Sequence, residues 1–359
     1  MKKLLTLLAG SSLAFYMQAC SDSSTSADDD PLKPGSVYVF GSDYKTGELR
    51  WVLEDGVSDK KLSFNQDSKL IGIDGNLFVL ERLAADNLAL VDVSSNEVKW
   101  QKSMGDASNP SDVVKANKDE VWVALEGAAK FVKVSVKDGK VTKTIETKKF
   151  NQGKATTPNL VDLEVSGDTL FALFQRSENY AYPAPGLLAL YKLDNGDLLD
   201  TIKLAKKNPT AMGFAQGKLY VASQGEYNEN YGTDADEARG IEEVNLSKKS
   251  SSLVVSGKKI GGGVYAFAVD SEENVAYAAA YKGFGDVPLM KVDLSKKDAK
   301  AVSGVSDVEG SLFFDDVDGV LYIGDRGSKG GLYKYENGKA TKIESPKEML
   351  PVYSIAIVR

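Results

Sequence analysis

The side chains open to chemistry here are tyrosines, arginines, amides and carboxylates, because the 359 residues include no histidine and a single cysteine. Without imidazole, Ser-His-Asp and Cys-His catalysis, histidine general bases and imidazole-ligated zinc are excluded. One set of candidates lies four residues beyond a recurring aromatic: Ser42, Arg82, Glu126, Gln175, Gln224, Tyr281 and Arg326. Each follows an apolar stretch, and alternation along a strand puts it on the aromatic's side. Cationic, amide, carboxylate and phenol groups meeting at one mouth would suit non-covalent capture of a ligand. The alternative is that any residue leaving an apolar strand is polar. A second set sits in three long segments, 176–186, 224–240 and 282–288: Arg176, Tyr180, Tyr182, Tyr227, Tyr231 and Phe284, with Tyr281 at the last segment's edge. Tyrosine offers large contact area at low rotamer cost and a polar tip. These rings either stack on a ligand or staple the segments to their neighbours. In the binding reading, Arg82, Arg176 and Arg326 pair with anionic groups, and Gln175 and Gln224 fix orientation.

Carboxylates offer two further possibilities. Glu81, Glu126, Glu178 and Asp325 would support a hydrolase or lyase if two of them met at a fixed separation. Asn228, Glu229, Asn230, Asp234, Asp236 and Glu237 would supply oxygen ligands for calcium, although their spacing does not fit an EF-hand loop, and a solvated acidic loop is the simpler expectation. No catalytic residue, metal or cofactor is assigned. Gly261-Gly262-Gly263 precedes a strand and is expected to be a turn, not a phosphate loop.

The elements that must position these groups repeat. Tyr38, Phe78, Trp122, Phe171, Tyr220, Tyr277 and Tyr322 each sit in a short apolar strand, 40, 44, 49, 49, 57 and 45 residues apart. A period of about 40–50 residues with several short strands marks a β-propeller blade. The third repeat is the clearest, with strands expected at 111–116, 120–125, 130–136 and 141–147, separated by Asn117-Lys118-Asp119, Gly127 and Asp138-Gly139. The first repeat begins with a second-type strand at 36–41, and the chain finishes with a lone strand at 352–358. The expected architecture is therefore all-β: a seven-bladed β-propeller of four-stranded antiparallel blades, closed by the C-terminal strand joining blade 1. A ring of six or eight blades is the alternative. Unequal growth of the segments on one face is how such a symmetric scaffold gains a site.

Asn109-Pro110 before a strand and VWVA, Asn208-Pro209 before a strand and KLYVASQG, and the VDVS and VDLS runs at 91–94 and 292–295 resemble the YVTN-type β-propeller repeat. The resemblance covers 36–359 and implies fold more than activity. Among lipid-anchored relatives, the chain is similar to surface propellers that capture small nutrients, such as corrinoids or siderophores, for an outer-membrane transporter.

Residues 1–19 are expected to be a lipoprotein signal peptide, with Lys2 and Lys3 before an apolar stretch too short to span a membrane. Ala19 before Cys20 resembles a lipobox, so Cys20 is the expected lipidation site, although Met17 and Gln18 depart from the usual pattern; an ordinary secretory signal is the alternative. Residues 20–35 are expected to form a flexible acidic tether. Loss of Lys2 and Lys3 takes the formal charge from −7 to −9. Scattered lysine pairs give no nucleic-acid footprint. The expectation is a monomeric, non-enzymatic envelope protein, lipid-anchored in the outer membrane and facing the periplasm or the surface, that binds a small molecule. The alternative partner is an envelope protein such as an outer-membrane transporter.

Overall fold

The structure is a computed structural model that describes residues 35–328 and 330–359. The expected signal segment, Cys20 and, apart from Gly35, the tether lie outside the described residues.

Seven antiparallel sheets follow one another along the chain. Their innermost strands are Val352–Val358, Ser68–Ile73, Pro110–Lys115, Leu160–Ser166, Pro209–Ala215, Gly263–Asp270 and Leu312–Asp315, for blades 1 to 7. The second strands are Ser36–Ser42, Asn76–Glu81, Glu120–Leu125, Thr169–Phe174, Lys218–Ser223, Val275–Tyr281 and Val320–Asp325. The seven recurring aromatics are in every case the third residue of the second strand. The expected closure is present: Val352–Val358 pairs with Ser36–Ser42, with Tyr38 opposite Ala356. The seam is thus a ladder within one sheet, and no blade is left half-built.

Strand alternation explains the packing. In blade 2, Phe78 and Leu80 face blade 3, where they meet Val113, Val121 and Val123. Leu77 and Val79 face the other way and meet Tyr38, Phe40 and Ala356 of blade 1. Similar apolar clusters join blades 3 and 4, 4 and 5, 5 and 6, 6 and 7, and 7 and 1. Each recurring aromatic points at the following blade, so the apolar run in these strands reflects burial on both faces. Each fully buried large side chain contributes about 1.5–3 kcal/mol. Indole N–H groups tie the same interfaces: Trp122 Nε1 donates to Leu193 O at 2.8 Å, and Trp100 Nε1 donates to Val136 O at 2.9 Å.

The inner edge of an innermost strand has no strand to pair with, so its polar backbone must find other partners. Side chains of the preceding blade supply many of them. Ser354 Oγ accepts from Leu70 N at 3.0 Å, Asp112 from Leu163 N at 2.8 Å and Asp162 from Met212 N at 2.6 Å. Ser111 Oγ donates to Leu160 O at 2.7 Å and Thr210 Oγ1 to Val264 O at 2.8 Å. The strands approach so closely at blade 2 that a Cβ on Gly72 would run into the carbonyl of Ile357.

Two local features differ from expectation. The outer part of blade 1 is split, Gly56–Val57 and Leu62–Phe64 both pairing with Gly47–Leu53. A single helical turn, Gly257–Ile260, precedes the expected glycine turn and ends at Gly261, whose φ of 99° suits a residue without a side chain.

Candidate ligand site on the propeller axis

The polar positions beyond the second strands are structurally equivalent. In five blades the backbone N–H there donates to the carbonyl just ahead of the blade's innermost strand: Ser42 to Pro351, Arg82 to Asp67, Glu126 to Asn109, Gln175 to Asn159 and Gln224 to Asn208, at 2.8–3.1 Å; in blade 7 Arg326 donates to Asp307, farther back from its strand, at 2.8 Å. Asn109, Asn159 and Asn208 have φ of 45°, 54° and 53°, in the left-handed region that asparagine tolerates. This is the structural content of the two Asn-Pro pairs. Tyr281 differs: it pairs with Gly263, the first residue of blade 6's innermost strand.

These crossovers surround a cavity of about 600 Å³ on the axis. Arg82, Glu126, Gln175, Tyr182, Gln224 and Tyr227 line its mouth, and Lys69, Ser111, Asp162, Thr210, Tyr265 and Tyr353 of the innermost strands line its depth. Of the residues selected from sequence, the fold brings those first six together.

The cavity's walls differ in character. On one side Arg82 Nη2 pairs with Glu126 Oε2 at 2.9 Å, and its Nε lies 3.6 Å from Asp67. On the other, rings follow one another from blade to blade: Tyr182 to Tyr227 at 6.3 Å, Tyr227 to Tyr281 at 6.3 Å, and Tyr281 stacked on Tyr265 at 5.7 Å. Burial pushes the phenols of Tyr182, Tyr265 and Tyr353 upward, so all stay protonated at neutral pH. Gln224 is 3 % exposed. Its Oε1 accepts from Tyr227 OH at 3.0 Å, while its Nε2 has no partner among the described residues.

Below the mouth lies a group of charges. Among the described residues, Lys69 Nζ makes one long hydrogen bond, to Ser111 O at 3.4 Å. Burial, and then the charge of Arg82, push its ammonium below the usual lysine range. Asp112 and Asp162 hydrogen-bond each other, and burial raises both carboxyls, so the pair holds a proton. Burial, followed by the charge of Asp112, raises Glu164 to about 8. At the opposite end, a second cavity of about 680 Å³ has a largely apolar lining, including Ile73, Val113, Val165 and Val317, and shares Ile71, Gly72 and Phe313 with the first.

Seven selected residues lie outside the axial lining, among them Ser42, whose Oγ donates to Gln66 O at 2.6 Å, and Phe284, exposed on its loop. Arg176 is held by Phe150 O at 3.3 Å and Gln152 Oε1 at 2.9 Å. Tyr180 and Tyr231 are 95 % and 75 % exposed at loop tips. Tyr281 links Tyr227 to Tyr265 in the tyrosine arc but is itself buried outside the lining, its OH donating to Tyr231 O at 3.1 Å. Arg326 donates to Val352 O at 3.2 Å and Ser42 O at 3.1 Å and stacks 4.7 Å over Tyr44, clamping blade 7 to blade 1. The carboxylates considered for hydrolysis are separately engaged. Asp325 accepts from the N–H groups of Ser306, Asp307 and Gly327, Glu81 from Asn65 N and Asn87 Nδ2, and Glu178 from Lys154 N. In the acidic loop, Asp236 pairs with Arg239 at 2.9 Å and Asn228 Oδ1 accepts from Asn230 N and Gly232 N.

Sequence reasoning missed Lys69, Asp112, Asp162, Glu164, Tyr265 and Tyr353. A signal was available: KLIGID, SDVVKA and LVDLEV place charges inside strands that should line the axis.

No family model matches the chain, and no curated protein matches it in sequence. Solved structures share the fold. A functionally unknown protein from Desulfotomaculum acetoxidans aligns with a TM-score of 0.61 at 11% identity, over 90% of this chain and 99% of that one. Apo AztD from Citrobacter koseri aligns with a TM-score of 0.56 at 12% identity, over 89% and 97%. The computationally designed Ika8 protein aligns with a TM-score of 0.51 at 12% identity, over 80% of each chain. At such identities the likeness concerns the fold alone.

Proposed function

We propose that this protein is a non-enzymatic binding protein that holds a small molecule in the axial cavity, entering from the face that carries the long loops. The supporting observation is Gln224 Nε2, a donor buried beside a cavity of about 600 Å³ and without a partner among the described residues. A buried unpaired donor costs about 1–3 kcal/mol, a cost that would be removed if the amide turned toward a ligand acceptor in the cavity. The volume lies within the range of small-molecule sites, about 300–1,000 Å³. The first twenty residues support an envelope location with Cys20 as the lipid attachment point, and the resemblance to nutrient-capture propellers supports delivery to an outer-membrane transporter.

A thermal-shift screen of small metabolites tests the proposal. At least one compound should raise the melting temperature of the wild type, and Gln224→Leu should lose most of that rise while melting within a few degrees of the wild type. A screen with no stabilising compound counts against a ligand site. Protein docking is a second reading, supported by Tyr180, Tyr231 and Phe284, the last 82 % exposed, on the long loops. Co-purification of one envelope protein, lost on mutating these three residues, would favour it.

A further inference from the structure

Building on the axial cavity as a ligand site, we propose that its ligand is a small aromatic carboxylate, the acid group seated at Lys69 and the ring against the tyrosine arc. Lys69 lines the cavity and, among the described residues, has no carboxylate within ion-pair distance; its one contact is the 3.4 Å hydrogen bond to Ser111 O. An ammonium carries three donors, so Lys69 has capacity left for an acceptor. The carboxylates nearby are already engaged. Glu126 and Asp67 share Arg82, and Asp67 also accepts from Tyr353 OH at 2.6 Å. Asp112 and Asp162 hold each other and the N–H groups of Leu163 and Met212. A cationic ligand would therefore compete with Arg82 for its counter-charge, whereas an anion meets Lys69, which lines the cavity. The rings of Tyr182, Tyr227 and Tyr265 give a planar body a surface to pack on. The depressed ammonium of Lys69 agrees with this geometry, since an arriving carboxylate would restore its charge.

Calorimetric titration of the full chain with indole-3-acetate, indole-3-acetamide and tryptamine tests the charge preference on one ring system. The acetate should bind roughly ten-fold or more tightly than either of the others. Lys69→Gln should bring it to the level of the amide, and Lys69→Arg should retain the preference, which separates loss of charge from loss of fold. Equal or tighter binding of the amide or the amine, survival of the preference in Lys69→Gln, or no binding of any of the three overturns the inference. The broader proposal of a ligand site falls only if the metabolite screen is silent as well.

Discussion

Buried charge shapes this protein residue by residue, and two glutamates show it with opposite signs. Glu48 is 3 % exposed and Arg50 1 %, with Nε to Oε1 at 2.9 Å. Lys61 Nζ at 2.9 Å and Leu350 N–H at 2.9 Å complete the shell of Glu48, and Arg50 also donates to Ser58 O and Asp59 O. Burial alone would raise the Glu48 carboxyl; Arg50, Leu350 and Lys61 outweigh it and lower it. Its contribution is therefore present above the unfolded-state value, about 4.3, and is lost as pH falls through the folded one. Glu48→Ala should destabilise by about 3–5 kcal/mol in urea melts at pH 7, because it leaves Arg50 buried and unpaired. Glu164 behaves in reverse. With its folded value raised to about 8, it keeps its proton where the unfolded chain has lost it, so its contribution is full below the unfolded-state value of about 4.3 and is lost as pH rises from there to about 8. Glu164→Gln should leave stability at pH 4 nearly unchanged and raise it by roughly 2–4 kcal/mol at pH 8. A wild-type-like pH profile in the variant would contradict the assignment.

Single elements carry the closure and the loop face. Val352, Ile355, Ala356, Ile357 and Val358 are all buried. At about 1.5–3 kcal/mol for each large side chain, this strand contributes as much as a whole domain's typical stability of about 5–15 kcal/mol. Deletion of residues 352–359 should abolish cooperative unfolding followed by circular dichroism; a near-normal transition would show that the seam is dispensable. In the longest loop, Thr233 Oγ1 bonds both Tyr281 O and the N–H of Gly263, the latter at 2.7 Å. Thr233→Val should cost about 1–2 kcal/mol and loosen the segment around Tyr227, seen as faster amide exchange there. The strands themselves were legible because alternation, Gly and Asn turns and the repeated aromatic are local properties. The helical turn at Gly257–Ile260 was not, since four residues are too few to show a period.

At the scale of the molecule, every blade packs on two neighbours, so no blade can lose its fold without exposing apolar surface on both sides. Trp51, Trp100 and Trp122 report on blades 1, 2 and 3, whereas circular dichroism reports on all seven. Their melting curves should coincide; separate midpoints would mean that the ring unfolds in sectors. The blade count, the strand order and the equivalence of Arg82, Glu126, Gln175 and Gln224 could be deduced from residue types and spacing, because burial on two faces imposes a pattern along the chain. The axial charges and the free donor on Gln224 became visible only in three dimensions. Whether Arg326 or Lys69 faces the axis, and whether a polar atom has a partner, depends on residues from blades far apart in sequence, and a linear pattern carries no record of which side chains meet across a ring.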